Sequence, residues 1–202
     1  MTTYSATFNL GTGITGLLIL VYAVRRWELS AGELGLAFML GNIGWLVGAV
    51  VAGRTSRVLG LGRALVLGGA LGGAPFLLIP LLPKAYAIPT LVVVEAVAQL
   101  GVVIVNINGI SLYQTQVPAR LLGRMSASRR WIVWGVIALG NLLGGVLASQ
   151  IGLRTTLIVG ASISLVAVTA LLSPAIRTLA TVHGYARASG DGGVAAPADA
   201  GA

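Results

Sequence analysis

Six runs of about twenty mainly apolar residues, separated by short basic or polar stretches, fill the chain between positions 5 and 172. A helix rising 1.5 Å per residue needs about that length to cross roughly 30 Å of hydrocarbon, so each run is a spanning candidate. They cover 5–24, 33–52, 64–82, 88–111, 131–149 and 155–172. The composition points the same way. With 56% hydrophobic residues, 9% charged and a mean hydropathy of +0.94, the chain lacks the charged surface that coats a soluble globule. The expected fold is an all-α integral membrane protein with six transmembrane helices over 1–175, embedded in a lipid bilayer. Residues 176–202 form a Gly/Ala-rich tail without periodicity, expected to be disordered.

The first run is the least apolar, because Tyr4, Ser5, Thr7, Asn9, Thr12 and Thr15 dilute its first half. A signal peptide is the rival reading there, but no Lys or Arg precedes the run, as a signal requires. Within the spans, glycines recur four apart at Gly44/Gly48, Gly68/Gly72, Gly69/Gly73 and Gly140/Gly144, a spacing that lets helix backbones approach. Pro75 and Pro80 remove backbone donors from the third run and are expected to kink it. Trp27, Trp45, Trp131 and Trp134 are expected first as interfacial anchors.

The net charge of +8 has to be read by location. Alternate connections and the tail carry nine arginines, namely Arg54, Arg57, Arg63, Arg120, Arg124, Arg129, Arg130, Arg177 and Arg187. The other side carries four basic residues, Arg25, Arg26, Lys84 and Arg154. Basic loops stay in the cytoplasm, so both termini are expected there, in a multi-pass protein of the cell membrane. Because the arginines alternate with spans and form no basic domain, a nucleic-acid partner is not expected.

The fourth run carries a polar stripe. At 100° per residue Glu95, Gln99, Asn106 and Tyr113 fall within about 40° of one another, on a helix otherwise made of Val, Ile, Ala and Leu. An ionisable group at the bilayer centre costs about 2.5 to 3.5 kcal/mol, so Glu95 should face a partner or a water-filled cavity. Asn9 and Thr12 are the facing candidates on the first run. Enzyme chemistry finds no foothold. Ser162 and Ser164 lie in the last run, but the single histidine, His183, lies beyond it. The absence of cysteine excludes thiolate metal sites, and neither metal nor cofactor is expected.

Two connections and one span resemble a known family. Gln114, Val117, Pro118, Gly123 and Arg124 read Q-x-x-V-P-x-x-x-x-G-R. That is similar to the cytoplasmic connection between the tenth and eleventh helices of major facilitator superfamily drug and siderophore exporters, the branch with enterobactin-exporter-like and macrolide-efflux permeases. Gly53, Ser56, Arg57, Gly60 and Arg63 resemble a degenerate copy of the family's G-x-x-x-D-R-x-G-R-R loop, with Ser56 where an acid would stand. Gly140, Gly144, Gly145, Gly152 and Arg154 are similar to the eleventh helix and the turn after it. The resemblance implies the C-terminal six-helix half of a twelve-helix fold built from 3+3 inverted repeats. It also implies export of a small amphipathic drug-like or siderophore-like molecule by alternating access with proton coupling. The substrate cavity of such proteins lies between two halves, so a second six-span half or a second copy is the expected partner. The alternative is a truncated or orphan half-permease, acting as a structural or regulatory membrane subunit or inactive alone.

Overall fold

The structure is a computed structural model that describes residues 2–114 and 119–172, with side chains described over 3–110 and 133–172. The tail 176–202 and Pro118 lie outside the described residues. Among the described residues seven α-helices follow one another: α1 Thr2–Arg26, α2 Ala31–Gly41, α3 Ile43–Leu59, α4 Leu61–Gly73, α5 Ala87–Gln114, α6 Ala119–Ile151 and α7 Leu153–Thr169. Short 3₁₀ turns occupy Ala74–Leu78, Lys84–Tyr86 and Ala170–Leu172, and no strand occurs among the described residues. These elements make six helical stretches long and apolar enough to cross a membrane, so the chain is an all-helical, multi-pass membrane protein.

The boundaries differ from the sequence expectation where local chemistry intervenes. The second span starts on a capping box at Ser30 and Glu33 and is interrupted at Asn42, whose side-chain amide donates to the Phe38 carbonyl at 2.9 Å. The third leaves α geometry after Gly73, because Pro75 cannot donate and the backbone tightens into a 3₁₀ turn. Gly53 and Arg57, expected in a loop, are helical, and Gly60 alone reverses the chain before Arg63 in the first turn of α4. It does so at φ 79° and ψ 154°, a region that is essentially glycine-only. Gly123 and Arg124, also expected in a loop, lie on α6, which begins at Ala119 because that stretch is rich in Ala, Leu, Arg and Met.

Packing follows two hubs. α1 lies between α6 and α7, α5 lies against α2, α3 and α4, and α4 with its following turn joins the two groups through α7. Glycines set the separations. A Cβ at Gly44 would sit 1.8 Å from the Ala96 carbonyl oxygen, one at Gly101 2.4 Å from the Gly72 nitrogen, and one at Gly140 2.7 Å from the Leu10 carbonyl oxygen. These are backbone-to-backbone contacts that no larger side chain permits.

The end of the bundle bearing Arg54, Arg57 and Arg63 is called the basic end; there Tyr4, Phe8, Leu65, Val168 and Leu171 form one core cluster. A larger cluster at the far end contains Tyr22, Trp27, Leu34, Ile79, Leu91 and Leu157. Trp27 is not an interfacial anchor. It is 2% exposed and packs edge-on against Tyr22, because the chain turns inward directly after α1. Beside it, Glu28 adopts φ 55° and pairs with Lys84, which fastens the first connection to the third.

Two outcomes test this packing. Gly44→Ala is expected to lower the thermal midpoint, whereas Gly35→Ala, with no atom within 4 Å of its added methyl, leaves it unchanged or raises it through the about 1 kcal/mol helix-propensity gain. The hydrogen bond and charge of Lys84 hold the Glu28 carboxyl below its usual range. A lowered carboxyl pKa stabilises the fold above its unfolded value, and that contribution disappears as pH falls through the lowered one. Lys84→Met should therefore cost a small amount of thermal stability at neutral pH and nothing once Glu28 is protonated; a difference that persists in strong acid contradicts the pairing.

Candidate functional site

The first half of α1, the second half of α5 and Val133 of α6 enclose a cleft of about 210 Å³ at the basic end. α1 contributes Tyr4, Ser5, Phe8 and Asn9, and α5 contributes Val102, Val105 and Asn106. Helical spacing explains the arrangement. Tyr4 and Phe8 are one turn apart and stack with ring centroids 5.4 Å apart, while Ser5 and Asn9 form the adjacent polar row. Gly69 and Gly72 of α4 make room for the aromatic pair, since a Cβ on either would lie 3.2 to 3.3 Å from its nearest neighbours.

The polar groups of α1 are mostly answered within their own helix, as expected where water is scarce. Asn9 donates from Nδ2 to the Ser5 carbonyl at 2.6 Å, Thr12 bonds the Phe8 carbonyl at 3.1 Å, and Thr15 bonds the Gly11 carbonyl at 3.1 Å. The side-chain oxygen of Asn9 accepts no hydrogen bond among the described residues, and Asn106 is exposed with none among them either. Among the described residues the cleft thus combines two amides and a hydroxyl with an aromatic and valine wall, and the only titratable group they contribute is the Tyr4 phenol. Such a surface suits a molecule with a hydrogen-bonding end and an apolar body. Its volume falls below the roughly 300 to 1,000 Å³ of complete small-molecule sites, the size expected of one wall of a larger cavity.

Of the residues singled out in the sequence, Asn9 and Asn106 meet here. Thr12, Glu95 and Gln99 do not line this cleft. Glu95 lies eleven residues before Asn106 on the same helix, about 16 Å along its axis. It backs onto Gly41, where a Cβ would come within 2.4 Å of its own Cβ, and its carboxylate has no hydrogen bond or ion pair among the described residues. Side chains of Tyr113, Gln114 and Arg124 lie outside the described residues. The described residues contain no cluster of His, Cys, Asp or Glu able to hold a metal.

Sequence reasoning missed two features. Tyr4 and Phe8 belong to the cleft wall, and their i, i+4 spacing on a polar half-span was the available signal. Asn108, 4% exposed, ties α5 to α3 by donating to the Ile104 carbonyl at 2.8 Å and the Ala52 carbonyl at 3.3 Å. It lies off the polar stripe, so helical periodicity did not reveal it. No model of a known protein family matches the chain, and no characterised protein matches it.

Binding of an amphipathic fluorophore to the purified chain tests the cleft. Asn106→Leu should weaken it about fivefold, the loss of one hydrogen bond at about 1 kcal/mol, and Val105→Trp should abolish it by filling the space. Unchanged binding in both variants would place the ligand elsewhere.

Proposed function

We propose that this chain is a six-span transport unit of the major facilitator type, built from two inverted three-span repeats, that exports a small amphipathic compound by alternating access. The observation that carries the reading is a correspondence between its halves. Residues 3–20 of α1 and 93–110 of α5 are buried, half-buried or exposed in the same order at every position but one, Thr15 against Val105. The helix pairings correspond as well. α1 lies on α6 and α7 as α5 lies on α3 and α4. Gly11 meets Gly160 and Ser164 of α7, and Gly101 meets Gly68 and Gly72 of α4. Gly60 before α4 and Gly152 before α7 share one rare conformation, φ 79° and ψ 154° against φ 83° and ψ 157°.

Successive spans alternate in direction, so the first and fourth run oppositely and the repeat is of the inverted kind that transporters use. In such folds the ligand path lies near the repeat interface, where the cleft between α1 and α5 is found. The basic end is then cytoplasmic, which keeps Arg54, Arg57 and Arg63 on the inner side.

Asn42 and Asn106, exposed inside apolar spans, need more than lipid around them. A second six-span unit, either a matching half or another copy, completes the cavity. Proton coupling falls to Glu95, the only acidic residue in the interior of a span. Co-expressed with a matching six-span half, the chain should restore efflux from cells, and Glu95→Gln should reduce it. Normal efflux by the paired halves with Gln at position 95 would remove the coupling role, and no efflux with any partner would favour the structural-subunit alternative.

A further inference from the structure

The correspondence between the halves makes an assignment that the cleft alone does not. The first and fourth spans match at a shift of 90 positions and the second and fifth at a shift of 92. Carrying six of the eight cleft residues across gives Glu95 for Ser5, Gln99 for Asn9, Thr12 for Val102, Thr15 for Val105, Gly16 for Asn106 and Gly41 for Val133, while the aromatic pair Tyr4 and Phe8 answers to the buried Val94 and Ala98. We propose that these six residues form a second ligand site at the far end of the bundle, closed in this structure, that takes an amphipathic amine. This rests on the inverted-repeat transport reading and adds to it the place of the outer site and the chemistry of its ligand.

Closure has a visible cause. Ser5 and Glu95 are both half-buried, Asn9 and Gln99 both half-buried, Asn106 and Gly16 both exposed. The counterparts that differ are Thr15 and Gly41, which are buried at the far end where Val105 and Val133 are half-buried at the basic end. Gly41 is the point at which the second span rests on Glu95, with the Cβ of Glu95 filling the place its own Cβ would take. The interruption at Asn42 follows directly: its N–H still reaches the Phe38 carbonyl, but its own carbonyl accepts from Trp45 three residues on, so the part of the second span that covers Glu95 is joined to the rest by one tightened turn. Such an interruption is a place where α2 can tilt away from α5 without disturbing the Gly44 and Gly48 contacts below it.

The exposed site would present the Glu95 carboxylate, the Gln99 amide and the Thr12 hydroxyl. The cleft at the basic end has amides but no acid at the matching position. A carboxylate in an apolar wall favours a cation with N–H donors, and amide oxygens accept from the same donors, so an ammonium group attached to an apolar body suits both ends. Glu33, Arg25, Arg26, Lys84 and Arg154 are also at the far end, and Glu28 is already paired with Lys84.

The chain has no cysteine, so Gln99→Cys introduces a unique thiol. In right-side-out membrane vesicles a membrane-impermeant maleimide is expected to label it from outside, and propranolol, a secondary ammonium at neutral pH on a naphthyl body, to slow that labelling at least threefold. The protection should vanish in a Glu95→Gln background. Gly41→Ala, which forces a methyl against Glu95, should speed labelling severalfold; because that variant can fail to fold, Thr12→Cys in the otherwise unaltered chain gives a second reading of the same opening. Thiols at 99 and 12 that react only from inside, or from neither side, overturn the outer site. Labelling that propranolol does not slow overturns the ligand assignment. The transport reading fails separately: efflux can be absent with every partner while the thiol at 99 still reacts from outside, and efflux can be normal while it never reacts.

Discussion

Backbone contact between helices, allowed only by glycine, is the constraint on which this bundle depends. Burial of apolar surface cannot drive helices together within lipid, because acyl chains are as apolar as leucine. What remains is dispersion at close range and the hydrogen bonds of the few polar groups. Gly44 on Ala96, Gly101 on Gly72 and Gly140 on Leu10 bring main chains together in different parts of the bundle. Replacing any of these glycines with a larger residue would not leave a cavity; it would push a helix away and open the seam along its length.

The same seams define where space is left. α1 and α5 are each held on one side by their glycine contacts, and at the basic end a cleft lies between them, walled by Tyr4, Phe8, Val102 and Val105 with Asn9 and Asn106 at hand. Hydroxyls that would otherwise be costly in hydrocarbon bond backward to their own helix, as Thr12, Thr15 and Ser164 do. Glu95 is the exception, half-buried against Gly41 without a partner among the described residues. An unanswered carboxylate inside a span fits a mobile wall better than a static one, which is why the interruption at Asn42 acquires meaning.

Much of the fold was legible in the sequence because span length and apolarity are dictated by the bilayer and survive any detail of packing. All six spans appeared where the apolar runs lie. Less legible were events decided by single residues. Gly60 replaces an expected loop with a one-residue reversal, Asn42 interrupts a span that hydropathy reads as continuous, and α6 extends back through arginine-rich sequence that charge alone marked as a connection. Trp27 entered the core because of the turn that follows it, which no anchor preference predicts. In the candidate site, Asn9 and Asn106 were visible as polar residues on apolar helices, but Glu95 and Gln99 share their stripe and not their cleft. The likeness of α1 and α5 was hidden for a different reason. Residues 3–20 and 93–110 agree in burial at every position but one while Ser5 stands against Glu95, Phe8 against Ala98 and Gly13 against Val103, so along these two helices the environment repeats and the letters do not.

The central claim is that six helices cross the membrane in alternating directions, with Arg54, Arg57 and Arg63 together on the cytoplasmic side. Single cysteines at Arg57 and at Tyr86, both exposed and at opposite ends of the bundle, put it to a direct test with an impermeant thiol reagent in right-side-out and inverted vesicles. Labelling at 86 only in the right-side-out preparation and at 57 only in the inverted one is the predicted result. Labelling of both positions from one side, or in the reverse order, would contradict it.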